Sequence, residues 1–278
     1  MAINSIAIKQ IIGAWAFDSD SKIQWMCSNV ENLQITQDGE TTEKRDANGS
    51  VIFTINKNKS CQISFDSSVL DLSLIAALNG TNRVDASSDA PIRVPYIDRF
   101  TLRAADVSVG YVTLSKTPVS DVGGAYKISF HTLTTDGSLD DNYGQVSGAA
   151  TSTNFYYDST NHRVYFPTDA TIFKAGTKIE IIYEYSVTAG VKVVNAADKF
   201  PDAAMVRFLV LACDLCDSTK IRALWITARN SKPQTGNTIG FNLEDTISIT
   251  LDLAYDYCNS DKSFYEISVA DEDFAWAN

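Results

Sequence analysis

The stretch TISITLDLAYDYC, residues 246–258, constrains the fold more than any other. Ile247, Ile249, Leu251, Leu253 and Tyr255 take every second position, and Ser248, Thr250, Asp252, Ala254 and Asp256 fill the places between. Side chains swap sides at each residue only in an extended strand. A period of two held from 247 to 256 therefore requires a strand with one dry face and one wet face. The wet face consists of small residues, hydroxyls and carboxylates, with no lysine or arginine. An ordinary solvated strand mixes both signs, so this face calls for an explanation.

The same logic recurs along the chain. In ENLQITQDGETTEKRDANGSVIFTI, Leu33 and Ile35 alternate on one side, and Val51, Phe53 and Ile55 on the other. Asn48-Gly49 favours positive φ and can close the turn between them. The tip QDGETTEKRDANGS is long and charged, which predicts a projecting hairpin. SCQISFDSS follows as a further strand, with Cys61, Ile63 and Phe65 facing one way and Gln62, Ser64 and Asp66 the other. SVLDLSLIAALNG has helical spacing at Val69, Leu72, Ile75, Ala76 and Leu78. Ser68 is the expected cap, with Asp71 three residues on, and Gly80 the expected stop. This is the one strong helix expected. Strand-like runs then recur as FTLRAADVSV, GYVTLS, AYKISFHTL, TNFYYD, HRVYFP and TKIEIIYEYSV, with turn-formers between them. Two long strands, AMVRFLVLACDL and IRALWITARNSK, precede the final one. The fold class expected is all-β with one short helix, a β-sandwich.

The 278 residues suit one large β domain or two smaller ones, and the 45% hydrophobic content allows a sizeable core. A single domain over 1–278 is expected, with 92–190 as extra sandwich strands or an outer module. The net charge of −11 opposes any phosphate-gripping role, because such affinity comes from lysine and arginine. The N-terminal MAINSIAIKQIIGAWAF has no basic start, so no secretion signal is expected. The longest apolar run, AAMVRFLVLAC, contains Arg207 and falls short of the ~18 residues of a membrane span. Five cysteines, an odd number scattered along the chain, read as reduced thiols of a protein made in the cytoplasm.

Candidate chemistry is sparse. Cys213 and Cys216 in LACDLCDS have zinc-knuckle spacing, but a structural zinc needs four ligands and Cys258 adds at most a third. Asp214 and Asp217 flank the pair and disfavour a reactive thiolate. The segment CDLCDSTK is better read as the turn of a long hairpin. TTDGSLDDNYG, with Asp136, Asp140, Asp141 and Asn142, departs from a calcium loop: Asp141 stands where glycine is needed and Ser147 where glutamate is needed. The two histidines, His131 and His162, lie in no nucleophile motif, and no glycine-rich phosphate loop occurs. A carboxylate pair for glycoside hydrolysis stays open, since 34 acidic residues offer many pairs; beyond that, no catalytic residue, cofactor or metal is expected.

One segment is more specific. TKIEIIYEYSVTAGVKVVNAADKFPDAAMVRFLVLACD, residues 177–214, leads a tyrosine-rich strand through GVKVVNAADKFPD into a long apolar strand. It resembles the major tail tube proteins of long-tailed bacteriophages. GYVTLSKTPV, HRVYFPTDATIFKAGTKIEIIYEY, the run from Gly39 to Thr81 and ITARNSKPQTGNTIGFNLEDTISITLDLAYDYC are similar in order and character, so the likeness covers most of 30–258. The resemblance implies a β-sandwich whose strands join those of other copies in a multi-subunit β-barrel, six copies to a ring, with rings stacked into a tube. Such a tube conducts double-stranded DNA, without specific binding, from capsid to host and houses a tape measure protein. Implied partners are other copies of the chain, tail terminator and baseplate or tip proteins, and a sheath protein if the tail is contractile, as in related secretion tubes. No membrane is involved, and the location is the virion tail.

A bore that passes DNA should repel phosphate. The wet residues Gln62, Ser64, Asp66, Ser248, Thr250, Asp252 and Asp256 are the expected lining. Glu40, Glu43, Lys44, Arg45 and Asp46 are expected in an arm between rings. The competing reading is a carbohydrate-binding or receptor-binding β-sandwich of a virion, which would use the tyrosines and tryptophans to stack sugars. A capsid decoration protein shares the composition but not the helix after the first hairpin.

Overall fold

The computed structural model describes residues 5–215, 219–235, 239–240, 246–255 and 262–274. The chain divides into two compact units, one formed by residues 1–84 with 193–278, the other by 85–192. In the first unit come β1 (Ile6–Phe17), β2 (Ile23–Cys27), β3 (Val30–Arg45), β4 (Val51–Ser67) and α1 (Leu72–Leu78). The chain leaves it along β5 (Val84–Asp85). The second unit contains β6 (Ile92–Thr101), α2 (Ala104–Val109), β7 (Tyr111–Thr113), β8 (Ile128–Leu133), β9 (Leu139–Val146), β10 (Asn154–Asp158), β11 (Arg163–Tyr165) and β12 (Lys178–Val187). The chain returns along β13 (Val191–Lys192), which pairs with β5. β14 (Ala204–Asp214), β15 (Ile221–Pro233), β16 (Ile247–Leu253) and β17 (Glu266–Val269) complete the first unit. The fold is all-β, as the turn-separated alternating runs require.

The first unit is built on one sheet in the order β2-β1-β14-β15-β16-β4-β3, with β17 also paired to β15. β14 and β15 form the long hairpin expected around CDLCDSTK, with Cys213 opposite Ile221. The sheet curls on itself as a half-barrel. Phe65 of β4 meets Phe208 of β14 edge-on at 5.4 Å, although β15 and β16 lie between those strands in the sheet. Trp25 stacks on Phe65 from β2, and Ile63, Ile249, Leu251, Val206 and Val210 fill the same core. Every second residue of β14, of β16 and of β4 from Cys61 to Ser67 points inward, which is the alternation legible in their sequences.

The second unit has its own sheet, β6-β12-β8-β9-β10-β11-β7, and its own core around Phe130, Phe155, Tyr157, Val164, Phe173, Ile181 and Tyr183. β9 and β10 run parallel. The remaining neighbours in that sheet run antiparallel.

Three expectations need correction. The helix begins at Leu72, capped by Asp71 rather than Ser68: the Asp71 carboxylate accepts from the backbone N–H of Ser73 and Leu74 at 2.7 and 3.0 Å. Asp71 is in extended backbone, while the Ser68 hydroxyl is turned to Glu31 and Asn29. The run FTLRAADVSV is not one strand. Its second half folds as α2, started by the Asp106 carboxylate accepting from the Arg103 N–H at 2.8 Å and ended by Gly110 at φ 78°. SCQISFDSS is not a separate strand either, because β4 is continuous from Val51 to Ser67.

Candidate functional site: a polar sheet face and a projecting arm

The inward alternation of β3, β4 and β16 leaves their other face polar, and the strand register aligns it in rows. Thr36, Gln62, Asp252 and Lys232 lie opposite one another across β3, β4, β16 and β15. Gln34, Ser64 and Thr250 form the next row, and Glu31, Asp66 and Ser248 the third. At about 4.8 Å per strand the four-strand row is roughly 14 Å wide. The rows are knitted together. Gln62 Nε2 and Gln234 Nε2 both donate to Asp252 Oδ1, at 2.9 and 2.8 Å. Ser248 Oγ and Asn32 Nδ2 donate to the two oxygens of Asp66, at 2.6 and 2.8 Å. Each carboxylate is thereby held in place in the sheet instead of swinging free.

Six of the seven residues expected on this face are thus brought together by two strands far apart in sequence. The seventh, Asp256, lies outside the described residues. Sequence reading missed Gln34 and Thr36, although they alternate with Leu33 and Ile35, and missed Asn32, which sits at positive φ where the β3 register shifts. Lys232 also went unforeseen, so the face is not wholly acidic. Its signal is weak because β15 shifts register between Ala228 and Ser231.

The arm is the outer part of the β3–β4 hairpin. Among the described residues, β4 pairs with β16 only from Cys61 to Ser67, and both arm strands are exposed from 38 to 60. Ten residues from Val51 to Ser60 at about 3.3 Å each carry the tip roughly 30 Å beyond the sheet. The tip is a turn over 46–50: Asp46 Oδ1 accepts from the N–H of Asn48 and Ser50, and Gly49 takes φ 83°. Glu43 pairs with Arg45 at 2.5 Å, Arg45 Nη1 donates to the Gly49 carbonyl, and Glu40 accepts from Asn58 Nδ2 at 2.8 Å. Lys44 lies 6.0 Å from the centre of the Phe53 ring. The charges named from sequence are therefore engaged within the arm. The exposed feature is apolar: Val51, Phe53 and Ile55 share one face, and Ile52, 60% exposed, lies on the other.

Among the described residues the thiols and the acidic loop build no second centre. Cys213 is a buried free thiol, as are Cys27 and Cys61, whereas Cys216 and Cys258 lie outside the described residues. Cys27 Sγ contacts Ser67 Oγ at 3.2 Å. Burial pushes the Cys61 thiol up, against the opposing pull of Lys59. Asp136 closes the turn after β8: its carboxylate accepts from Thr134 Oγ1 and the Ser138 N–H, bonds that hold it below its ordinary value. Asp140, Asp141 and Asn142 belong to strand β9. In the second unit burial works to raise Glu180, but bonds from Arg99 and from His131, the latter at 2.9 Å, outweigh it and hold the carboxyl low. Asp98 accepts from Tyr183 Oη at 2.7 Å and from the Ser115 N–H at 2.9 Å, and burial raises the Tyr183 hydroxyl. These structural polar pairs satisfy the buried Glu180, Asp98 and Tyr183 oxygens, while the buried His131 Nδ1 has no partner among the described residues. Among the described residues no helix is long and apolar enough to cross a membrane.

No curated protein matches the sequence. A family model does, over residues 7–263, which covers both units and every strand from β2 to β16. The chain belongs to the YomU/Tube protein family.

Proposed function

We propose that this protein is a tail tube subunit of a bacteriophage, a structural component of the virion tail without catalytic activity. Copies of the chain close six to a ring, and the rings stack into a tube that houses a tape measure protein and conducts DNA. The observation that carries the reading is the polar face of β3, β4 and β16. Its small hydroxyl and amide side chains and its two fixed carboxylates, Asp66 and Asp252, give DNA nothing to stack on and little to pair with. The family membership points the same way.

Two further features support it. The half-barrel sheet is open, with β2 and β3 at the ends of its strand order. Exposed edges invite pairing with other chains, and closure among several copies would satisfy them. The arm exposes Val51, Phe53 and Ile55 on a single hairpin, an apolar row that contact with the next ring would cover. Tail terminator, baseplate or tip proteins, and a sheath in a contractile tail, are the partners such a tube would require.

The test is assembly. Purified protein, concentrated and imaged by negative-stain microscopy, is expected to form sixfold rings or tubes. A strictly monomeric protein at high concentration would refute the proposal.

A further inference from the structure

The second unit carries an aromatic feature that a tube wall does not require. In β10, β11 and β7, the residues Phe155, Tyr157, Val164 and Val112 point into the core. The alternate positions put Tyr156, Tyr165 and Tyr111 directly opposite one another on the other face. Their rings form a continuous row, with centroids 5.8 Å apart from Tyr156 to Tyr165 and 5.2 Å from Tyr165 to Tyr111. All three are half-buried, and none of the three hydroxyls has a hydrogen-bond partner among the described residues. The next row across the same strands is Asp158, Arg163 and Thr113. The Arg163 guanidinium lies over the Tyr111 ring, 4.3 Å from its centre, so the cation is held against the tyrosine row. Asn161 Nδ2 donates to the Asp158 carboxylate at 2.7 Å, and this bond above all keeps the carboxylate low. Beside Tyr165 opens a cleft of about 370 Å³, walled by Val107, Gly110, Ala150, Thr168 and Asp169.

From this arrangement we infer that the β10–β11–β7 face is a binding site for a neutral glycan chain. Sugar rings present apolar C–H faces and a fringe of hydroxyls. A tyrosine row offers surface for the former, while free phenol hydroxyls and a fixed guanidinium and carboxylate offer partners for the latter. The ring spacing follows the strand spacing and is close to the repeat of one hexopyranose in an extended chain. The rings tilt by 30° and 56° to their neighbours, so the row twists with the sheet. A twisted row suits a single soluble chain and not a flat crystalline surface. Arg163 and Asp158 cancel in charge, which favours an uncharged ligand over a polyanion such as single-stranded nucleic acid. The cleft beside Tyr165 gives one end of the chain a concave seat. The inference stands apart from the tube proposal, since it uses only the second unit.

The test uses the full chain and three neutral hexasaccharides, chitohexaose, cellohexaose and laminarihexaose, with poly(dT) as the anionic control. Binding is followed by calorimetry and by tyrosine fluorescence. At least one hexasaccharide is expected to bind, and Tyr165→Ala is expected to weaken it about tenfold or more, as truncation of a central aromatic anchor does. Tyr165→Trp should retain binding, and Arg163→Ala, which leaves the tyrosines in place, should weaken it with an unchanged melting temperature. Absence of binding by all three sugars at millimolar concentration would overturn the inference. So would equal affinity in Tyr165→Ala, preference for poly(dT), or burial of the tyrosines by self-association of the chain.

Discussion

Phe208→Ala tests the curl of the sheet. The side chain is fully buried, and it meets Phe65 edge-on across two intervening strands. Removing it leaves a cavity bounded by Phe65 and its neighbours on β4, which cannot relax without uncurling the half-barrel. Phenylalanine truncations of this kind cost about 3–5 kcal/mol. For a unit of this size that corresponds to a fall in Tm of roughly 6–20 °C. The assay is urea unfolding followed by tryptophan fluorescence. The three tryptophans among the described residues, Trp15, Trp25 and Trp225, belong to the first unit, so their signal reports that unit. Trp25 stacks on Phe65 at 6.4 Å, which places a reporter beside the perturbation. In the double variant with Phe65→Ala, the two losses should fall short of additivity by about 0.5–1.5 kcal/mol, the usual coupling of an aromatic pair. A loss below about 1 kcal/mol for Phe208→Ala, or full additivity with Phe65→Ala, would show that the two strands do not meet and would refute the half-barrel core.

Gly80→Ala should be among the more damaging glycine substitutions, at about 2 kcal/mol or more, because φ is 65° and the added carbon would lie 2.2 Å from the Phe200 carbonyl oxygen. Gly49→Ala, at φ 83° but with open space, should cost only about 1 kcal/mol; equal melts for the two would contradict the close crossing. Glu180 is depressed in the folded state, so its contribution to stability is present above the ordinary glutamate value of 4.5 and is lost as pH falls through the lower folded value. Circular-dichroism melts between pH 7 and pH 3 should therefore show a shallower pH dependence for Glu180→Gln than for the unaltered chain. Replacing residues 40–57 by a two-residue Asn-Gly turn should leave the tryptophan-detected melt unchanged while preventing ring stacking in micrographs, since both arm faces are exposed. Asp66→Lys with Asp252→Lys moves the formal net charge from −11 to −7, two charges per replacement, and puts cations on the polar face. Virions carrying both should assemble but eject DNA more slowly, and unchanged ejection kinetics would count against a lumenal placement.

Legibility followed the regularity of each strand. The alternation of 247–253 and 61–67 was readable because those strands carry one dry and one wet face without interruption. Their alignment, with Gln62 against Asp252 and Ser248 against Asp66, was not, since register between segments nearly two hundred residues apart leaves no local mark. β1 has no clean period in IAIKQIIGAWAF because its pairing with β14 shifts register twice, between Ile8 and Gln10 and between Ile11 and Gly13. α2 is six residues long and rich in valine and alanine, and its signs were only Asp106 and Gly110. Val51, Phe53 and Ile55 read correctly as a strand. Alternation gives which side a residue takes, however, and not whether anything covers that side; in the arm none of the described residues does. The break between units left no Gly-Pro linker, because both crossings run through the short β5–β13 pair.

The central claim, that the β3–β4–β16 face lines a bore formed by several copies, is tested most directly by electron cryomicroscopy of the assembled protein. The account predicts a sixfold ring in which Gln62, Asp66, Ser248 and Asp252 face the central channel and the arm reaches the neighbouring ring. A protein that stays monomeric, or a ring whose channel is lined by other residues with this face turned outward, would contradict it.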